Sequence, residues 1–255
     1  MTTWVLLRGL TRDARHWGGF QALLHAEWPE ARIEAIDLPG NGSLYLQPSP
    51  TTVEGMVDHC RAVLAQRGVQ LPVRVLALSM GAMVAVAWAE HHPQDLAACV
   101  LISTSLRPFS RWHQRLRPRN AAQLLALMLA GSAQAKERRV LQLTTRHPAE
   151  SAARLIESWS LWRHEQPVSH LNALRQLRAA MRFRAPALPP RVPMLTLVGA
   201  CDALVSPECS RQLARAWNIR LHEHPSAGHD LPLDDGPWVT KQVAAWLASL
   251  PRAHR

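Results

Sequence analysis

Val73-Arg74-Val75-Leu76-Ala77-Leu78-Ser79-Met80-Gly81-Ala82-Met83-Val84-Ala85-Val86-Ala87-Trp88-Ala89 is the stretch that decides the fold of this chain. Its first four residues form an apolar, β-branched run that predicts a strand, and residues 82–89 predict a helix. Between them the chain must turn sharply, with Ser79 at the tip. A serine at the apex of so tight a strand-to-helix turn takes a strained backbone, and the residues two places to either side must be small to avoid collision. Ala77 and Gly81 are small. The turn lifts the Ser79 hydroxyl clear of the sheet and aims the Met80 N–H, at the helix N-terminus, toward a charge forming on a nearby oxygen. Alone, the pattern also fits a buried serine in an ordinary turn, so the rest of the chain has to discriminate.

Working outward, short apolar runs alternate with helical patterns. Strands are expected at residues 4–7, 32–36, 73–76, 97–103, 192–199 and 220–224, and helices at 20–28, 52–66, 82–91, 206–217 and 236–250. Runs such as Ala98-Cys99-Val100-Leu101-Ile102 are apolar without a break, which suits strands buried on both faces of a parallel sheet. Residues 105–190 show no strand pattern; four helical runs lie at 121–130, 136–144, 150–162 and 168–183. The expected architecture is a doubly wound, mostly parallel α/β sheet with an inserted four-helix lid. The sheet core then falls in residues 1–104 and 191–255, with the lid at 105–190.

With 255 residues and 47% hydrophobic composition, the chain can bury a large core. No apolar stretch is long enough to span a bilayer, and Arg8 interrupts the run Trp4-Val5-Leu6-Leu7, so the start reads as a strand rather than a signal peptide. A cytoplasmic protein without integral membrane association is the expectation. Cys60, Cys99, Cys201 and Cys209 form no CxxC pair and fit free thiols better than a disulfide framework. The net charge of +10 is nearly all arginine, and Arg107, Arg111, Arg115, Arg117 and Arg119 crowd into one short segment of the expected lid. Neither interleaved aromatics nor zinc-type spacing accompanies that charge, so nucleic acid is not an expected partner. No metal or organic cofactor is implied.

A serine hydroxyl is a weak nucleophile until a base takes its proton, and the base needs a carboxylate to fix its tautomer. In open parallel sheets ligands sit beyond the carboxyl ends of the strands, so the partners of Ser79 are sought in strand-end loops. Asp202 follows the strand at 192–199 and is the candidate acid. His229 lies in Ser226-Ala227-Gly228-His229-Asp230, just after the strand at 220–224, and is the candidate base. Asp230, Asp234 and Asp235 are rival carboxylates, ranked lower because they lie too near His229 in sequence to orient its ring from behind. Gly9 permits a sharp turn after the first strand, which predicts the Leu10 and Met80 N–H groups as a pair of oxyanion donors.

Five segments together, Arg8-Gly9-Leu10, Asp37-Leu38-Pro39-Gly40-Asn41-Gly42, Ala77-Leu78-Ser79-Met80-Gly81, Gly199-Ala200-Cys201-Asp202 and Gly228-His229, resemble the α/β-hydrolase superfamily in order and spacing. Arg8 stands where that family usually has His, and Ala77 where it has Gly. The resemblance implies a serine hydrolase with Ser79 as nucleophile, Asp202 as acid and His229 as base. The early loop, elbow and lid are most similar to small bacterial carboxylesterases, including those that cleave pimeloyl-carrier-protein methyl esters. It implies a small ester or an acyl-carrier protein as substrate, with Arg111, Arg115 and Arg119 available to an acidic carrier. Arg8, Trp112, Leu124, Met128, Trp159 and Trp162 are the expected substrate-binding residues, the apolar ones as an acyl wall. A C–C bond hydrolase or cofactor-free oxygenase on the same fold, and a non-catalytic binding protein, are the alternatives.

Overall fold

The computed structural model describes residues 2–251 apart from 121, 124, 125, 127–129 and 147–148. Six strands, β1 (Thr3–Leu7), β2 (Arg32–Ile36), β3 (Val73–Leu78), β4 (Leu96–Ile102), β5 (Met194–Gly199) and β6 (Arg220–His224), lie in the order β2-β1-β3-β4-β5-β6. Every neighbouring pair is parallel. Side chains alternate across the strands. Val5, Leu7, Val75, Ala77, Cys99 and Leu101 enter one core cluster, while Trp4, Leu6, Leu76, Leu78, Val100 and Ile102 enter the other. Helices α1 (Phe20–Glu27), α2 (Val53–Gln66) and α3 (Met80–His91) divide between those faces: α2 and α3 cover the first and α1 the second. Each fully buried Leu or Val contributes on the order of 1.5–3 kcal/mol, so this two-sided burial outweighs the low helix propensity of the β-branched residues in α3.

The helical lid is inserted between β4 and β5, in the segment expected at 105–190. Its elements are a short α4 (Trp112–Arg115), α5 (Ala133–Thr144), α6 (Ala149–Glu165) and α7 (His170–Arg182). The expected helix at 121–130 lies largely outside the described residues. The two ends of the lid meet at a parallel bridge between Arg107 and Arg184, where the Ala185 N–H donates to the Arg107 carbonyl at 2.7 Å. Helices α8 (Pro207–Trp217), α9 (Leu231–Asp234) and α10 (Gly236–Ser249) complete the chain. The four-residue α4 and α9 are too short to leave a periodic signature, which is why sequence pattern misses them. Cys60, Cys99 and Cys209 are buried, Cys201 is exposed, and all four are free thiols.

The lid is fastened to the core by polar contacts. Glu137 of α5, 1% exposed, accepts from Arg12 of the loop after β1 (2.7 Å) and from Arg163 of α6 (2.5 Å). From α7, Asn172 receives the Ser49 N–H at 2.9 Å, and Gln176 receives the Thr11 N–H and donates to Asn41 Oδ1, both at 2.8 Å. The Asp37–Gly42 segment therefore acts as the seat of a lid helix. Its Gly40 has φ +91° and lies so close to Ser49 and Asn172 that a Cβ would collide with both.

Strand order reverses between β1 and β3, since the chain passes from β1 outward to β2 and then returns to β3. That is the switch point at which doubly wound sheets open a crevice. Arg8-Gly9-Leu10 leaves β1 there and Ser79 leaves β3. The approach is close: a Cβ on Gly81 would stand 2.5 Å from the Leu7 carbonyl oxygen and 2.8 Å from that of Arg8. Gly81→Ala is therefore expected to destabilise by about 1–3 kcal/mol, through forced displacement of the β1 end. Gly19→Ala, where nothing lies within 4 Å, should change stability little. Urea unfolding of both variants checks this, and equal midpoints would refute it.

Candidate active site

Ser79 has φ +56° and ψ −114°, a left-handed backbone that a non-glycine residue adopts at a cost of roughly 1–3 kcal/mol. Its own N–H donates to the Ile102 carbonyl at 2.9 Å, and its carbonyl accepts from Ala82 N–H at 3.1 Å. The turn is thus held at both ends, and the strain is offset by sheet and helix bonds on either side. Met80 is the first residue of α3, where an N–H has no intrahelical acceptor. The loop after β1 runs past the hydroxyl: the Cβ position of Gly9 lies 3.7 Å from Ser79 Oγ. Among the described residues neither the Leu10 nor the Met80 N–H donates to another protein group, and both residues line the same cavity as Ser79.

The carboxylate of Asp202 is 1% exposed and fully engaged. Its Oδ1 accepts from the N–H groups of Leu204 and Val205, both at 2.9 Å, and its Oδ2 faces His229 Nδ1 at 2.7 Å. Arg117 donates to the Asp202 carbonyl at 2.7 Å and Asn120 donates to that of Ala203 at 2.7 Å, so two lid residues brace the acid loop. Gly199, at the end of β5, would drive a Cβ to 2.3 Å from the carbonyl oxygens of Ala227 and Gly228. Only glycine there lets the acid loop and the histidine loop pack face to face.

With a carboxylate at Nδ1, the proton sits on that nitrogen and Nε2 is left as the acceptor. His229 is 3% exposed and lines the cavity with Ser79; no Ser79–His229 hydrogen bond is formed among the described residues. Looser contacts of this kind are common before substrate binds. Burial alone would lower the His229 pKa. The charge and hydrogen bond of Asp202, joined by the charge of Asp230, outweigh it and raise the pKa above the ordinary 6.5, while the Arg8 charge opposes them.

The cavity over these groups has a volume of about 1760 Å³. That is ample for a ligand larger than drug size. Its wall is mainly apolar, including Tyr45, Met83, Leu143 and Leu177. Among the described residues the charged lining is one-sided: Arg8, Arg12, Arg107, Arg115, Arg117, Lys136, Arg163 and Arg175 against the carboxylate of Asp230.

Of the other expected substrate contacts, Trp112 lines the cavity and is 78% exposed. Trp159 and Trp162 do not line it. Trp159 is 2% exposed, packs with Leu141 and Ile156, and stacks under the Arg12 guanidinium at 4.6 Å. Trp162 sits edge-on to His16 and beneath Arg15. Both fasten the lid to the loop after β1 rather than wall the cleft. Burial and the adjacent Arg12 charge push His16 down to about 4, so it serves this contact as a neutral ring. Leu124 and Met128 lie outside the described residues. Arg8 lines the cavity, but its guanidinium is engaged by Asp230 and is not free to hold substrate. Arg115 is half-buried and donates to the Ala180 carbonyl at the end of α7, at 2.7 Å, whereas Arg111 and Arg119 are exposed. Residues that sequence reasoning missed are Arg117, Asn120 and Glu137; long-range bracing contacts leave no local signal.

A six-stranded parallel sheet, a strained serine at its switch point and a carboxylate-bound histidine facing the same cavity define a serine hydrolase of the α/β-hydrolase class. The chain belongs to the serine aminopeptidase, S33 family (Hydrolase_4), whose model matches residues 34–236. It is 29% identical over 205 residues to a pimeloyl-[acyl-carrier protein] methyl ester esterase of Chromobacterium violaceum, covering 77% of this chain and 76% of that one. It is 27% identical to the protein of the same name from Pectobacterium carotovorum subsp. carotovorum, over 96% of this chain and 94% of that one. The enol-lactonase of Burkholderia xenovorans LB400 superposes with a TM-score of 0.77 at 20% identity, over 97% and 92% of the two chains. Among the described residues no helix is long and apolar enough to cross a membrane.

The raised His229 pKa sets a pH dependence. The imidazole must be neutral to accept a proton, so activity should fall as pH drops through a midpoint above 6.5. Asp202→Asn removes the dominant raising influence, which should move the midpoint down and lower kcat by about 10²–10⁴-fold through loss of the correct tautomer. A pH–kcat/KM profile of both proteins measures this; an unmoved midpoint would contradict it.

Proposed function

We propose that this chain cleaves a carboxylic ester, or thioester, through an acyl-enzyme formed on Ser79. Ser79 Oγ attacks the carbonyl carbon as His229 Nε2 takes its proton, and Asp202 balances the imidazolium that results. The Leu10 and Met80 N–H groups receive the tetrahedral oxyanion, a term commonly worth several kcal/mol. Collapse expels the alcohol or thiol, protonated by His229, and water repeats the sequence to release the acid. The observation that carries this reading is the buried Asp202–His229 contact of 2.7 Å beside a cavity that also exposes Ser79.

For the natural substrate, we infer an acyl methyl ester borne by a carrier protein, as in the relatives named pimeloyl-[acyl-carrier protein] methyl ester esterase, with the carrier presenting an acidic surface. Two features support it. Among the described residues of the cavity lining, Arg107, Arg115, Arg117, Lys136 and Arg175 remain after Arg8 pairs with Asp230 and Arg12 and Arg163 with Glu137, and Arg111 and Arg119, each next in sequence to a lining residue, stand exposed on the lid. Complementary charge of that kind raises the association rate with an acidic partner and weakens with salt.

Ser79→Ala and His229→Ala should each lower kcat by roughly 10⁴–10⁶-fold, and the double variant should lose no more than either alone, because the two act as one unit. Additive losses would refute the shared step. Arg111→Gln with Arg119→Gln should lower kcat/KM for a carrier-bound methyl ester by about 3–30-fold at low salt and leave p-nitrophenyl butyrate turnover unchanged. Equal losses on both substrates would remove the carrier reading and leave the esterase reading standing.

A further inference from the structure

Arg8 and Asp230 take no part in the proton relay, yet each lies close along the chain to a group the reaction uses. Arg8 precedes Gly9 and Leu10; Asp230 follows His229. Both residues are only 3% exposed. The guanidinium meets the carboxylate on two prongs, Nη1 to Oδ1 at 3.1 Å and Nη2 to Oδ2 at 2.5 Å. Arg8 is also stacked over the Trp17 ring at 4.9 Å, and the Asp230 N–H donates to the Thr144 carbonyl at the end of α5, at 2.7 Å. Each half of the pair is therefore fixed independently by its own surroundings.

The topology explains why such a link matters. β1 and β6 stand four strand positions apart in the sheet. Strand spacing places their axes about 19 Å from one another. Among the described residues no backbone ladder joins the loop after β1 to the loop after β6, although both must converge on Ser79. A two-pronged guanidinium–carboxylate contact fixes distance and orientation together. It also places both charges beside the base: Asp230 raises the His229 pKa and Arg8 lowers it.

We propose that the Arg8–Asp230 pair is a positioning clamp that ties the loop bearing the Leu10 amide to the loop bearing His229, setting the oxyanion donor and the base at a fixed separation across Ser79. The proposal rests on the acyl-transfer reading of the site. It also accounts for an arginine where the wider superfamily has histidine, since a histidine could not span the carboxylate with two parallel N–H groups.

The charged groups that face His229 are Asp202 from the loop after β5, Asp230 from its own loop and Arg8 from the loop after β1, with Arg12 and Asp234 acting on Asp230. Removing one partner of the clamp leaves the other charge uncompensated, and the signs are opposite. Asp230→Asn removes an anion, which should shift the His229 titration to lower pH. Arg8→Met removes a cation and should shift it to higher pH. In both variants kcat at the pH plateau should fall at least about tenfold with KM within about threefold, the pattern of lost positioning rather than lost substrate affinity.

The experiment compares wild type, the two single variants and the paired Arg8→Met/Asp230→Leu variant. Readouts are the pH profile on p-nitrophenyl butyrate and the His229 ring titration followed by ¹⁵N NMR, which needs no turnover. The paired variant replaces a buried ion pair by apolar groups, a change that often leaves folding intact. It therefore decides the matter where the single variants fail to fold. It should titrate near the wild-type pH and retain the tenfold loss in kcat. A folded paired variant with wild-type kcat, or single variants whose titrations do not move apart, would overturn the clamp. A wild-type protein that does not cleave the ester would overturn the acyl-transfer reading instead, and the two failures are distinct.

Discussion

The left-handed backbone of Ser79 is the constraint on which the rest of the site depends. Its φ of +56° places the hydroxyl at the tip of the β3–α3 turn and leaves the Met80 N–H free at the start of the helix. Strain of this size persists only where surrounding structure over-determines it. Here the determinants are the Ser79–Ile102 bond to β4 and the packing of Gly81 directly on the last carbonyls of β1. Both act at the point where strand order reverses, so one arrangement of backbone fixes nucleophile, amide donor and crevice together.

Everything else is brought to that turn by loops from distant strands. Asp202 arrives from β5, saturated by the Leu204 and Val205 N–H groups and braced by Arg117 from the lid. His229 arrives from β6, and Gly199 permits the two loops to touch. The lid is not a loose cover. Glu137 joins Arg12 of the core to Arg163 of α6, while from α7 Gln176 bonds Asn41 and Asn172 bonds Ser49. With those carboxylates and amides spent on fastening, the remaining cations of the cavity have no carboxylate ion pair among the described residues, which gives the cleft its electrostatic sign.

Much of this was legible in the sequence because it is local. The strands are continuous apolar runs, the elbow is a small-x-Ser-x-small pattern between a strand and a helix, and Asp202 and His229 fall in the loops directly after strands. The strand expected at residues 32–36 and the one expected at 220–224 occur over those same residues. What was not legible depends on tertiary contact. A tryptophan at helical spacing is equally suited to a cleft wall and to an interface between lid and core, and Trp159 and Trp162 prove to be the latter because Arg12, Arg15 and His16 present a facing surface. Likewise Arg111, Arg115 and Arg119 look alike along the chain, but only Arg115 lies within reach of the last turn of α7. Arg8 and Asp230 are 222 residues apart, and no periodicity connects them.

The central claim is that Ser79 is an activated nucleophile, and covalent labelling tests it most directly. Folded protein treated with a fluorophosphonate should gain the mass of one adduct, which peptide mapping should place on Ser79. The labelling rate should rise with pH as His229 becomes neutral, and protein unfolded in denaturant should not react, since an isolated serine hydroxyl is a poor nucleophile. Folded protein that gains no adduct, or carries it on a residue other than Ser79, would contradict the account.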